Sequence, residues 1–241
     1  MAHCYWHAGL ADRTVGEVIT LTGDEAHHAA VVSRMRRGER VLVSDGAGVL
    51  AEGVIDRAER DGVDVVLHEL REVPVASPRI GLAQALAKGD RAELAVQAST
   101  ELGVDAIVPW SARRSVVQWK GERGERSLER WRKVVREAAK QAIRARLPEV
   151  TGVVDTQGLA ALASEWQLVV LDPTASARLT EVPLERDVLL VVGPEGGIDA
   201  AELEQLEAAG AVAVRLGVEV LRTSTAGLAA LSALSLRLGR W

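Results

Sequence analysis

The sequence predicts two folds in tandem: a small, mostly antiparallel β-domain, then an α/β domain with a mostly parallel sheet. Three observations carry this. Residues 1–72 hold short β-rich runs at close spacing, separated by Gly and Asp turns, as in a small barrel or sandwich. Residues 73–79, VPVASPR, carry two prolines and no periodicity, which marks a linker. From residue 80 to 241 apolar runs alternate with longer helical stretches, the pattern of a parallel sheet with helices on both faces.

Each element follows from its pattern. In the first domain the strands are EVITL (17–21), RVLVSDG (40–46), GVLAEGVID (48–56) and VDVVLHEL (63–70), and DEAHHAAVVSRM (24–35) has helical character. In the second domain IGLAQAL (80–86) precedes a helical RAELAVQASTELG (91–103), and DAIVPW (105–110) precedes the basic helix SLERWRKVVREAAKQAIRAR (127–146). LVVLD (168–172) and VLLVVG (188–193) read as buried strands. DAAELEQLEAAG (199–210) reads as a helix, AVAVRLG (211–217) as a strand, and residues 225–238 as a last apolar helix.

Composition narrows the class. The 241 residues are 48% apolar and 26% charged, which is globular and not disordered. Phe is absent, so the core is built from Val, Leu, Ala and Trp. A single cysteine, Cys4, rules out an intramolecular disulfide and fits a reducing compartment. There is no 18-residue apolar run and no signal-peptide pattern at the start, so the expectation is a soluble cytoplasmic protein with no membrane contact. The net charge is −5, but it is unevenly spread: residues 113–146 hold twelve Arg or Lys against four Glu, and residues 147–221 hold thirteen acids against three Arg. RMRRGER (34–40) adds four arginines against one Glu. Such clusters either form a solvated face or bind a polyanion.

Two late turns stand out. VVGPEGGID (191–199) ends an apolar run in glycines, a proline and one acid. In a parallel sheet, ligands bind outside the carboxyl ends of the strands, and glycines there let another group approach the backbone. Neither G-x-G-x-x-G nor G-x-x-x-x-G-K-[ST] is present, so spacing alone also fits a plain tight βα turn. The second turn lies in LGVEVLRTSTAGLAAL (216–231). Thr223, Ser224 or Thr225 is placed to cap the last helix. Arg222 lies beside the free N–H groups of a helix start, where anions are attracted; a phosphate, a ligand carboxylate and Glu195 are all suitable partners.

Together, VVGPEGGID and RLGVEVLRTSTAG resemble the C-terminal signature of the SPOUT methyltransferases of the RsmE type. LAKGDRAELAVQASTELGVDAIVPW (86–110), Arg114–Ser115, and Gln141, Arg144 and Pro148 agree with that family, and His28, Arg34 and VSDG (43–46) match its PUA-like barrel. The resemblance covers nearly the whole chain. It departs at Val218 and Glu219, where a Pro and a basic or small residue are expected, at Ser224, where many members have an acid, and at Ala142–Ile143, where a small residue and Gly are expected.

The resemblance implies a PUA-like β-barrel followed by an α/β SPOUT domain with a C-terminal trefoil knot, assembled as a homodimer. It implies S-adenosylmethionine as cofactor, no metal, and methylation of ring nitrogen N3 of a uridine in 16S rRNA of the small ribosomal subunit. Leu171, Gly193, Glu195, Gly196, Leu216, Gly217 and Leu221 then hold the cofactor. Arg222 and Glu195 are the catalytic candidates. His28, Arg34, Arg36, Arg37, Lys88, Arg114 and Arg144 are the RNA-binding candidates. Two other readings stay open at this point: a SPOUT enzyme acting on another RNA, and a non-catalytic RNA-binding or ribosome-assembly factor.

Overall fold

A computed structural model describes residues 3–241. The chain forms two compact units, Met1–Val75 with Ala139–Leu147, and Ala76–Ala138 with Pro148–Trp241.

The first unit is built on one five-stranded sheet. Its strands are β1 (Cys4–Trp6), β2 (Val18–Leu21), β3 (Arg40–Ser44), β4 (Val49–Ala58) and β5 (Val63–Glu72), in the order β1-β3-β4-β5-β2. All neighbours are antiparallel except β1 and β3. Register shifts at Glu52/Gly53 and Ile55/Arg57 bend β4. At Gly53 a Cβ would lie 2.5 Å from Val65 Cγ1, so the bend needs glycine. Tyr5, Ile19, Leu21, Val43, Ile55, Val65 and Leu67 form the core of this unit. Helix α1 (Gly23–His27) runs into a π-helical turn, His28–Val32.

Residues 139–147 belong to this unit because VSDG grips them. Asp45 Oδ1 accepts the N–H groups of Ala47, Gly48 and Val49 at 2.8, 3.0 and 2.9 Å, closing the β3–β4 turn. Leu147 N–H donates to Gly46 O at 2.9 Å, and Ser44 Oγ donates to Arg144 O at 3.1 Å. Arg146 reaches Val73 O at 2.8 Å. Cys4 packs with Leu50 and Ala145, and burial pushes its thiol up to about 11, against a smaller opposing pull from Lys140. It is an inert core residue.

The second unit is a six-stranded, all-parallel sheet. Its strands are β6 (Ile80–Ala85), β7 (Ala106–Trp110), β8 (Glu149–Val150), β9 (Gln167–Leu171), β10 (Val188–Val192) and β11 (Val212–Val214), in the order β11-β9-β10-β6-β7-β8. Strand residues alternate between two cores. Leu82, Val169, Leu190 and Val192 meet residues of α2 (Arg91–Glu101), α3 (Gly121–Gln141) and α6 (Thr223–Arg237). Ala83, Val170, Leu189 and Val191 meet α4 (Thr156–Ala161) and α5 (Ala200–Ala208). Because the strands are parallel, their carboxyl ends share one edge, with β9, β10 and β6 side by side.

Candidate active site

At that edge the chain encloses a cavity of about 530 Å³. Leu171 and Asp172 line it from the end of β9, Val192, Gly193 and Glu195 from the end of β10, and Leu221, Arg222 and Ala226 from the start of α6. A smaller neighbouring cavity of about 60 Å³ shares Leu171 and Leu221 and adds Leu216, Gly217 and Glu219. The larger volume is that of an ordinary small-molecule site.

The GPEGG turn is shaped by its own packing. A Cβ on Gly193 would lie 2.6 Å from Ile198 Cγ1, so glycine is required there by the returning chain. Gly197 N–H donates to Pro194 O at 2.9 Å, and Gly197 has φ +73°, a conformation that favours glycine. Glu195 Oε1 accepts the Lys88 N–H and Arg91 Nη1, each at 3.2 Å. Its ion-pair partner is therefore Arg91, not Arg222.

Gly196 lies on the other flank of the turn. Its carbonyl accepts Arg114 Nη1 at 3.1 Å, and an added Cβ would meet Arg114 at 3.5 Å, an ordinary contact. Arg113 and Arg114 both pair with Asp199, at 3.1 and 3.3 Å, and Asp199 caps α5. Glu202 was not singled out in the sequence, since an acid on an apparently amphipathic helix reads as a solvated one. It is buried, and its Oε1 accepts the Arg113 N–H at 2.8 Å and the Thr156 hydroxyl at 2.5 Å. It anchors the loop that carries both arginines.

The start of α6 corrects one expectation. The hydroxyls do not cap the helix: the N-cap is Arg222, with no side-chain cap. Thr223, already inside the helix, donates its hydroxyl to Gly193 O at 2.8 Å and accepts from Gln84 Nε2 at 3.0 Å. Arg222 is exposed on the cavity wall, and among the described residues no carboxylate pairs with it. An unpaired guanidinium thus stands next to an uncapped helix N-terminus, and both favour negative charge.

The remaining singled-out residues fall into both units. In the first unit, the His28 ring lies edge-on to Tyr5 at 5.9 Å. Arg34, Arg36 and Arg37 are exposed on the segment after the π-helical turn, and Arg37 pairs with Asp56 at 2.8 Å. Arg144 belongs to the segment gripped by VSDG. In the second unit, Lys88 and Arg114 are exposed, and the contacts given above place both beside the GPEGG turn. One pair escaped the sequence reading: Lys140, whose amine meets Glu25 at 2.7 Å and lies 5.2 Å from the Tyr5 ring centre.

Residues 75–235 match the model of an RNA methyltransferase domain, and residues 21–67 that of an RNA methyltransferase PUA domain. Ribosomal RNA small subunit methyltransferase E of Mycobacterium bovis is 44% identical over 94% of this chain and 89% of its own length. The chain belongs to the ribosomal RNA small subunit methyltransferase E family. The Bacillus subtilis member is 34% identical over 90% of this chain and 89% of its own length. Among solved structures, the Neisseria gonorrhoeae member of this family, bound to S-adenosylmethionine, superposes with a TM-score of 0.89 at 28% identity, covering 98% of each chain. A Legionella pneumophila methyltransferase with the same cofactor bound superposes at 0.88 with 31% identity, again over 98% of each. The family brings with it the fold expected from the resemblance, a PUA-like domain joined to a SPOUT methyltransferase domain.

Proposed function

We propose that this chain methylates ring nitrogen N3 of a uridine in 16S rRNA of the small ribosomal subunit, with S-adenosylmethionine as the donor. The observation that carries the reading is Arg222: an unpaired cation on the wall of a cavity framed by the ends of β9 and β10 and the start of α6. The cavity residues fit the cofactor. Leu171, Val192, Leu221 and Ala226 offer apolar walls to an adenine, and Asp172 and Glu195 offer carboxylates to a molecule that carries a sulfonium and an ammonium. Gly193, Gly196, Leu216, Gly217 and Leu221 supply backbone or apolar contacts in the same reading. When bound, the cofactor supplies an electrophilic methyl group on a good leaving group.

The chain's own tasks are alignment and stabilisation of the nucleophile. Uridine N3 must lose its proton, taken up by solvent water, before or during attack, and the charge spreads onto the two flanking carbonyl oxygens. Arg222 stabilises that charge from the cavity wall. A guanidinium offers N–H donors and no acceptor, so Arg222 is a stabiliser and not the proton acceptor. Glu195, engaged by Arg91 and the Lys88 N–H, orients the loop after β6 against the GPEGG turn. The target base presents its pairing edge, so it is unpaired or flipped out when it reacts. His28, Arg34, Arg36, Arg37 and Arg144 in the first unit, and Lys88 and Arg114 in the second, hold RNA phosphates. The same reading has the chain threaded as a trefoil knot, homodimeric and cytoplasmic.

The test is methyl transfer from labelled S-adenosylmethionine to unmodified 30S subunits, 50S subunits and bulk tRNA in parallel. Label on 16S rRNA, recovered as N3-methyluridine, is the expected result. Label on another RNA overturns the target, and no label from a folded, RNA-binding protein overturns the activity. In the same assay Arg222→Ala lowers turnover by about 10²-fold or more while RNA affinity changes far less. Equal losses in both would remove its charge-stabilising role.

A further inference from the structure

Gln84 is an odd residue for its place. It lies in β6, where every residue is buried, with Leu82, Ala83 and Ala85 as neighbours, and it is itself fully buried. Its Nε2 donates to Thr223 Oγ1 at 3.0 Å, and its Oε1 is buried with no hydrogen-bond partner among the described residues. An unsatisfied buried carbonyl costs stability, and an apolar side chain of the same size would avoid that cost. The fold carries the amide for what its other end does.

Hydroxyl chemistry fixes the direction of the bonds. Thr223 has one hydroxyl proton, and the carbonyl of Gly193, 2.8 Å away, can only accept it. Thr223 Oγ1 must then accept from Gln84, so the amide nitrogen faces it and the amide oxygen faces away. The orphan Oε1 is the consequence of this relay. It runs from β6 through the first turn of α6 to the end of β10, and Thr223 is only 8% exposed. Arg222 is the residue immediately before Thr223, and Gly193 opens the GPEGG turn.

We infer that Gln84 and Thr223 are positioning residues for methyl transfer: they lock the start of α6 to the β10 turn and so fix Arg222 relative to the cavity. The inference rests on the reading of Arg222 given above. It predicts a loss in the chemical step, not in cofactor binding, because displacement of a stabilising group by a fraction of an ångström lowers turnover steeply.

The experiment measures turnover on unmodified 30S subunits at saturating S-adenosylmethionine, cofactor affinity by titration, and thermal unfolding, for Thr223→Val, Thr223→Ser, Gln84→Met, Thr223→Val/Gln84→Met and Arg222→Ala. Thr223→Val is expected to lose about 10- to 100-fold in turnover, with cofactor affinity within about threefold. Thr223→Ser restores it. Gln84→Met, which keeps the Thr223–Gly193 bond but releases the hydroxyl from its donor, loses less. The double variant is no worse than Thr223→Val, since both changes break one relay. Full turnover in Thr223→Val and Gln84→Met, with Arg222→Ala impaired, overturns the inference and leaves the role of Arg222 standing. Full turnover in Arg222→Ala removes that role itself. If Thr223→Val does not fold, Gln84→Met decides: weakened cofactor binding with unchanged saturated turnover means the relay only braces the fold.

Discussion

Ile143 sits at φ +55°, in the left-handed region where a branched side chain rarely lies. The bonds around it explain why. Arg144 N–H donates to Ala139 O at 2.8 Å and Ile143 N–H to Lys140 O at 3.1 Å, the two closing bonds of a Schellman cap at the end of α3. The capping position normally carries glycine, and position 143 is where the family pattern expects one. Here Ile143 packs against the cluster of Cys4, Leu50 and Ala145, which offsets the backbone cost. Comparing two truncations isolates that cost. Neither Ile143→Ala nor Ile143→Gly keeps the packing, so they differ mainly in backbone. The left-handed penalty of about 1–2 kcal/mol falls on alanine alone, and glycine gives back roughly 0.4–1 kcal/mol through its freer unfolded chain. Ile143→Gly should therefore be the more stable by about 0.5–1 kcal/mol in urea unfolding. Equal midpoints would mean that the cap stores no strain. Arg34, at φ 53°, shows the same device after the π-helical turn, so a residue picked out for its charge also ends a helix.

Among the elements, those with a clear hydrophobic period were legible and those defined by single contacts were not. The apolar runs of β6, β9 and β10 needed no partner to be recognised, because strands buried on both faces read as continuous hydrophobic stretches. β1 is three residues long and pairs in parallel with β3; no period shows in so short a run. Helix α3 begins at Gly121, ahead of the expected Ser127, because the poor helix formers Gly121 and Gly124 hide its first turn. It stops at Gln141, short of the expected Arg146, because its stop signal is an isoleucine. The GPEGG turn and Arg222 were legible as chemistry, whereas the Gln84–Thr223 tie joins residues 139 positions apart, which no local pattern encodes. Gly227 is the same kind of feature in α6. Its missing side chain lets the helix sit on the sheet, since a Cβ would lie 2.9 Å from Leu82 Cδ1 and 3.3 Å from Val192 Cγ2. Gly227→Val is expected to destabilise by about 1–3 kcal/mol through overpacking, seen as a lower thermal midpoint. Gly227→Ala loses less, because about 1 kcal/mol of helix propensity opposes the clash. A fully stable Gly227→Val would show that the helix does not need its close seat.

For the whole molecule the question is how a chain of net charge −5 holds a polyanion. Its surface field works against RNA at long range, and salt screens charges beyond about 8 Å under physiological conditions. Binding must therefore come from local contacts, where each neutralised phosphate releases counterions. This separates the arginines by their present partners. Arg34 and Arg36 are exposed, and neither guanidinium pairs with a carboxylate among the described residues, whereas Arg37 already pairs with Asp56 at 2.8 Å. An arginine that must first leave an acid returns less on meeting a phosphate. The affinity for unmodified 30S subunits, measured across monovalent salt at fixed magnesium, tests this directly. Arg34→Ala and Arg36→Ala are each expected to flatten the log–log salt slope by about 0.7–0.9, the value of one phosphate contact. Arg37→Ala should change it by less. A slope that none of the three alters would take this segment out of the RNA interface and leave the grip to Arg144, Lys88 and Arg114.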